Sequence, residues 1–99
     1  MIKYKFELII FTAATQDYAD PIINAIEKDE KYFDHRLYRI YSTIIDKDFV
    51  KDLSKIGRDL KRTIIVDNMK QNYKNQPING IRIRQFWGKD VEHIVWLIY

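Results

Sequence analysis

Three short stretches carry the residue types that phosphate and magnesium chemistry uses. Asp67-Asn68 closes the β-branched run Thr63-Ile64-Ile65-Val66. A carboxylate beside an amide at the end of a buried strand supplies the hard oxygens that suit magnesium, which keeps several waters and takes one or two carboxylates plus substrate phosphate. The same dipeptide also reads as a plain strand-to-loop turn, because Asp and Asn hydrogen-bond their own backbone. Thr12 closes a second apolar run, Phe6-Glu7-Leu8-Ile9-Ile10-Phe11. Its hydroxyl could bond a phosphate oxygen beside the N–H groups of the following turn. It could equally cap the next helix, although Thr15 is better placed for that. Lys51, after Phe49-Val50, could neutralise charge on a transferring phosphoryl group. The alternative is a solvated surface side chain, the usual state of a lysine.

These residues need elements to hold them. The nearly continuous apolar run before Thr12 predicts a buried parallel strand presenting residues at its C-terminal end. A helix follows over about Asp17 to Lys28, with Ala19, Ile22, Ile23 and Ile26 on one face and Pro21 placed early, where a helix tolerates it. Arg36 to Ile45 and Phe49-Val50 read as extended, with Asp46-Lys47-Asp48 as the turn of a β-hairpin or small β-insertion. Asp52 to Asp59 predicts a short helix or turn closed by Gly57. Thr63 to Asn68 repeats the strand pattern of the opening. After a loop rich in Asn and Gln, Gly80 to Phe86 alternates like a half-buried strand, and the close from about Lys89 reads as helical. Strand, helix, strand, strand predicts an α/β fold with a mostly parallel sheet. Ligands of such sheets bind beyond the carboxyl ends of the strands, where Thr12 and Asp67 both lie.

Composition narrows the function class. The 99 residues are 46% apolar and 31% charged, a globular balance for one small domain. The net charge of +3 comes from interspersed charges, without the basic block of a nucleic-acid footprint. With no cysteine, disulfides, thiolate zinc sites and a cysteine nucleophile are excluded. His35 and His93 lack metal-ligand spacing and read as surface or boundary residues. No apolar run has the length of a membrane span, and the first residues lack the apolar core of a signal peptide, so a soluble, intracellular chain is expected.

An ordered set of motifs adds a family. Phe11-Thr12-Ala13-Ala14, Tyr18-Ala19-Asp20-Pro21, Phe33-Asp34-His35-Arg36-Leu37-Tyr38-Arg39, Val50-Lys51-Asp52-Leu53-Ser54, Gly57-Arg58-Asp59-Leu60, Ile65-Val66-Asp67-Asn68, Asn79-Gly80-Ile81 and Phe86-Trp87 follow one another in the chain. Together they resemble the haloacid-dehalogenase superfamily. Within it they are similar to the phosphatases of the RNA polymerase II C-terminal domain and their NLI-interacting-factor-like relatives. The resemblance implies a Rossmannoid, mostly parallel sheet with a small β-hairpin insertion. It implies a magnesium-dependent phosphatase of phosphoserine or phosphothreonine-proline segments, working through a phosphoaspartate. Thr12 would bind phosphate, Lys51 would stabilise the phosphoaspartyl intermediate, Asp67 would hold magnesium and Asn68 would stand in the same shell. Tyr18 and Arg39 would hold the phosphopeptide substrate. The polymerase-tail branch implies a nuclear site, with no direct nucleic-acid contact and no membrane segment.

One motif of that family is not in these residues. Its nucleophile lies in Asp-x-Asp-x-Thr on a central strand, between the strands ending at Thr12 and Asp67, and no such sequence occurs from 1 to 99. The expectation is a single partial domain over residues 1–99, lacking that central strand, cut within the last helix and inactive alone. Smaller departures are Met69-Lys70 where proline is usual, Asp46-Lys47 for Asp-Gly, Ser42 for cysteine and His93 for aspartate. The same fold also serves as a non-catalytic presequence receptor in the mitochondrial inner-membrane translocase. A binding module is therefore the alternative expectation.

Overall fold

The computed structural model describes residues 6–83 and the backbone of Ile94–Ile98. Strand β1, Leu8–Thr12, is flanked by residues of two separate cores. Ile9 and Phe11 point to one face, against Leu53, Ile65 and Tyr73. Ile10 points to the other, against Ala14, Ala19, Ile23 and Phe33. A strand covered on both faces has no use for polar alternation, hence its continuous apolar sequence.

The second core is supplied by helix α1, Gln16–Ile26. Ala19 and Ile23, one turn apart, are its buried residues, while Ile26 is largely exposed. Thr15 is the N-cap residue, as its position predicts, but its side chain makes no capping bond to the helix backbone. Pro21 stands past the first turn and forfeits the hydrogen bond to the Asp17 carbonyl. Burial of Ile10 and Ile23 offsets such losses, at about 1.5–3 kcal/mol per side chain.

The expected hairpin is shorter than its sequence pattern. His35–Leu37 forms β2 and pairs parallel to β1, a 3-10 turn spans Arg39–Tyr41, and only β3, Thr43–Ile45, and β4, Asp48–Val50, make the hairpin. Its turn is at Asp46-Lys47, with φ of 51° and 70°. Positive φ at both central residues is the primed geometry that matches strand twist. Short 3-10 turns at Leu53–Lys55 and Leu60–Arg62 follow, each started by an aspartate that accepts a backbone N–H, Asp52 and Asp59. Gly57 between them has φ of 70°, the left-handed region glycine tolerates.

Strand β5, Ile64–Asp67, pairs parallel with β6, Gly80–Arg82. Two more 3-10 turns, Lys70–Tyr73 and Pro77–Asn79, occupy the Asn- and Gln-rich loop between them. A Cβ on Gly80 would stand 2.0 Å from the Tyr73 ring, so glycine is needed for that close approach.

The close of the chain corrects the sequence reading. Ile94–Ile98 is strand β7, not helix; the rest of the expected helix and the end of the Gly80 to Phe86 strand lie outside the described residues. The period of so short a run as Ile-Val-Trp-Leu-Ile does not distinguish strand from helix, and here it pairs with strands on both sides. Its place is central, in the sheet order β2-β1-β7-β5-β6. The slot expected to be vacant between the strands of Thr12 and Asp67 is thus filled. β7 runs antiparallel to both neighbours, whereas β2, β1, β5 and β6 all run one way.

Candidate active site

Parallel β1 and β5 bring their last residues, Thr12 and Asp67, to the same edge of the sheet. Lys51 arrives from the end of β4, its backbone N–H bonded to the Asn72 carbonyl at 2.7 Å. Thr12, Lys51 and Asp67 are each 1% exposed. The solvated reading of Lys51 is therefore wrong. Its Nζ donates to Asp67 Oδ2 at 3.1 Å, an ion pair inside the protein. Burial pushes the Lys51 ammonium below its ordinary pKa, and the Asp67 charge and hydrogen bond pull it back.

Asp67 is densely engaged. Oδ2 also accepts from Asn72 Nδ2 at 3.0 Å, and Oδ1 accepts from the Met69 N–H at 3.1 Å. The bond to Met69, two residues on, is the turn that Asp67-Asn68 predicts, so the turn and buried-carboxylate readings hold together. Three of about four acceptor positions on the carboxylate are taken. Magnesium demands near-octahedral oxygen ligation. Among the described residues no three His, Cys, Asp or Glu side chains gather in one place. An ammonium 3.1 Å from the carboxylate opposes a dication as well. In this arrangement the Asp67 oxygens are engaged by Lys51, Asn72 and the Met69 N–H.

Thr12 Oγ1 accepts from the Ala14 N–H at 3.0 Å, closing the turn after β1 and leaving the hydroxyl proton to be donated. Arg39 reaches the same turn: its Nε donates to the Ala13 carbonyl at 2.6 Å, its N–H to the Ala14 carbonyl, and its guanidinium lies 4.9 Å over the Phe49 ring. Tyr18, in the first turn of α1, is half exposed. Asn68 is partly buried and its carbonyl accepts from Arg82 Nε at 3.3 Å. Thr12 and Asp67 end strands of the sheet, Asn68 follows β5, Lys51 follows the hairpin strand β4, and Tyr18 and Arg39 follow β1 and β2; of the six, Lys51 and Asp67 are joined by a side-chain hydrogen bond.

Asn72 was not singled out by sequence, and it contacts both members of the ion pair. Its only signal is an amide five residues after Asp67, on a 3-10 turn that aims it back. The Gly57-Arg58-Asp59 stretch serves structure: Arg58 forks onto Glu7, with Nη2 2.8 Å from Oε2. His35, an exposed residue as expected, bonds the same Glu7 at 3.0 Å; His93 lies outside the described residues. A cavity of about 700 Å³ is floored by Ile9, Phe11 and Leu37 and bordered by Lys55 and Arg58, and none of the six candidates lines it. Among the described residues no helix is long and apolar enough to cross a membrane.

Comparison with known proteins agrees with the motif order. The profile of the NLI interacting factor-like phosphatases matches residues 1–95. The chain is 45% identical over 78 residues to nuclear envelope morphology protein 1 of Schizosaccharomyces pombe, a match covering 79% of this chain and 16% of that protein. It is 44% identical over 85 residues to CTD small phosphatase-like protein 2 of Dictyostelium discoideum, covering 86% and 15%. With carboxy-terminal domain RNA polymerase II polypeptide A small phosphatase 2 of Homo sapiens it shares 37% identity over 86 residues, covering 87% and 31%. The chain spans less than a third of the length of each of these relatives.

Proposed function

The chain belongs to the NLI interacting factor-like phosphatase family, and from that premise we propose that its sheet edge is the phosphoryl-binding part of a phosphoprotein phosphatase site. The observation that carries this is the buried Lys51–Asp67 pair, with Asp67 at the carboxyl end of the parallel strand β5. A charge pair is costly to desolvate, and hydrophobic residues of similar volume often serve stability as well or better. Its retention at the edge where such sheets bind ligands favours a functional role. In this reading the four parallel strands are the Rossmannoid frame of the haloacid-dehalogenase fold. Lys51 donates to phosphoryl oxygens, the Thr12 hydroxyl donates to another, and Arg39 and Tyr18 hold the phosphoserine or phosphothreonine-proline segment. The names of the relatives favour a nuclear phosphoprotein as the substrate.

Residues 1–99 supply binding groups but no nucleophile of the Asp-x-Asp-x-Thr type, so they bind a phosphoryl group without transferring it. Asp67 is the residue assigned to magnesium, and binding is expected only with a phosphorylated ligand that brings further oxygens. The test is hydrolysis of an aryl phosphate with magnesium by these 99 residues. No turnover is expected; turnover that disappears in Asp67→Ala would refute inactivity. The engaged state of Asp67 also suits a non-catalytic binding module. Titration with a phosphoserine-proline peptide tests binding itself, and equal affinity for the unphosphorylated peptide would eliminate it.

A further inference from the structure

Strand β2 stands at the end of the sheet order β2-β1-β7-β5-β6, so among the described residues it has a strand on one side only. The Asp34 N–H donates to the Leu8 carbonyl at 2.7 Å, which sets the phase of the parallel β1–β2 ladder. Main-chain groups alternate in direction along a strand, so Asp34 and Arg36 face β1 while His35 and Leu37 turn theirs outward. An outward row of N–H and C=O groups is a template for a further strand. At three residues β2 is too short to hold a partner by pairing alone, so side-chain contacts must select it.

Those contacts lie next to the edge, in the cavity of about 700 Å³. The register sets His35 beside Ile9 and Leu37 beside Phe11, and these residues share the face turned away from α1. Ile9, Phe11 and Leu37 make an apolar floor, and Ile40 and Tyr41, 83% and 57% exposed, stand along it. Large apolar residues left open around a cavity of ligand size mark a binding surface. Arg36 sends its guanidinium the other way, to Asp20, Asn24 and Glu27, so the cavity meets β2 at its main chain. A strand added beside β2 lies about 4.8 Å from it, with every second side chain on the face of the cavity.

Charge narrows the occupant further. Of the cations in the lining, Arg36 is paired with Asp20 and Glu27, Arg58 forks onto Glu7, and His35 bonds the same Glu7. Lys55 has no acidic partner among the described residues; its Nζ donates to Thr43 Oγ1 at 2.7 Å, which holds it at the cavity wall. Asp52, the one acidic residue of the lining, has its Oδ1 taken by the Ser54 N–H and hydroxyl and by Gln76 Nε2. We propose that this cavity and the β2 edge form a docking site for an extended segment of a partner protein, with apolar residues at alternate positions and an acidic residue that pairs with Lys55. None of the six candidate residues of the phosphoryl site lines the cavity, so the inference does not depend on that site.

Selection of short, random, unphosphorylated peptides against the full chain tests this. The peptides recovered should alternate apolar residues and carry one acidic residue. Lys55→Glu should reverse the charge preference, so that basic peptides are recovered instead. Ile40→Asp should weaken the peptides selected on the unmodified chain at least tenfold. Both substitutions are at exposed residues; if one variant fails to fold, the other decides. N-methylation of a selected peptide at alternate residues should abolish binding in the phase that faces β2 and spare it in the other, since only one set of N–H groups joins the ladder. A phosphoserine-proline peptide should not displace the selected peptides. Five outcomes would each overturn the proposal: no peptide recovered beyond those found on Ile40→Asp, recovered peptides without the alternating apolar pattern, an unchanged charge preference on Lys55→Glu, equal effects of N-methylation in both phases, or displacement by the phosphopeptide.

Discussion

The two halves of the sheet, on either side of β7, solve the problem of charge in opposite ways. Around β1 and α1 the core is apolar, built from Ile10, Ala14, Ala19, Ile23 and Phe33. Its charged groups, Arg36 with Asp20 and Glu27, and Arg58 with Glu7, stay at the half-exposed margin. Around β5 the interior itself carries charge, in Lys51 and Asp67 at 1% exposure. Marginal ion pairs contribute little to stability, while a buried pair is stable only as a pair. The difference teaches where pairing constrains the sequence. The first half can change its polar groups at small cost, whereas the second holds a cation and an anion that depend on each other.

The sharpest way to break this comparison is to remove one partner. Lys51→Met should destabilise the chain by about 3–5 kcal/mol, because Asp67 is left charged and buried. Urea unfolding followed by circular dichroism measures this. A double change, Lys51→Met with Asp67→Leu, should recover most of the loss. If the single and double variants were equally unstable, coupling of the pair would not be the reason.

The apolar half should lose stability by a different route. Ile23→Ala removes a fully buried side chain and leaves a cavity, at a cost of about 2–5 kcal/mol. No second-site change of charge should rescue it, which separates cavity loss from ion-pair loss in the same melts. Next in size is Gly80→Ala beside β5. The added methyl would meet the Tyr73 ring at 2.0 Å, and overpacking of that kind costs about 1–3 kcal/mol. Combining it with Tyr73→Leu should restore part of that loss by clearing the space. Equal melts for the single and double variants would show that the backbone, not the ring, resists.

Much of this contrast was legible before the structure, and the reasons are local. β1, α1 and β5 announce themselves by unbroken or helical-period apolar patterns, and Thr12 and Asp67 follow as the polar residues that end strands. Burial of Lys51 was not legible, because it depends on Asn72 and Asp67 approaching from another part of the chain. Nor was β7. Five apolar residues do not distinguish strand from helix by period, and the choice is made by an open slot between strands more than fifty residues apart. The hairpin pattern overran for a related reason. Arg36 and Leu37 are extended, but they pair with β1 and not with the neighbouring strand, so local pattern gave the conformation without the partner.

The smallest expected effect concerns the marginal charges of the first half, and its sign follows from their partners. The Arg58 hydrogen bond holds the Glu7 carboxyl below its ordinary value. A hydrogen bond from Tyr38 does the same for Asp20, with Arg36 adding to it. Groups lowered on folding bind fewer protons in the folded than in the unfolded chain across the interval between the two values. Their stabilisation is therefore complete above the ordinary carboxylate range and is lost as pH falls through the lowered values. Melting points should hold from neutral pH to about pH 5 and decline as the pH falls below about 4. The decline should be shallower in Tyr38→Phe, where Asp20 has lost its first partner. It should also flatten in high salt, because these pairs are partly open to solvent and screened. An acid decline that is instead unchanged by Tyr38→Phe and by salt would place the acid-sensitive group in the buried half, and the division of labour between the two halves would fail.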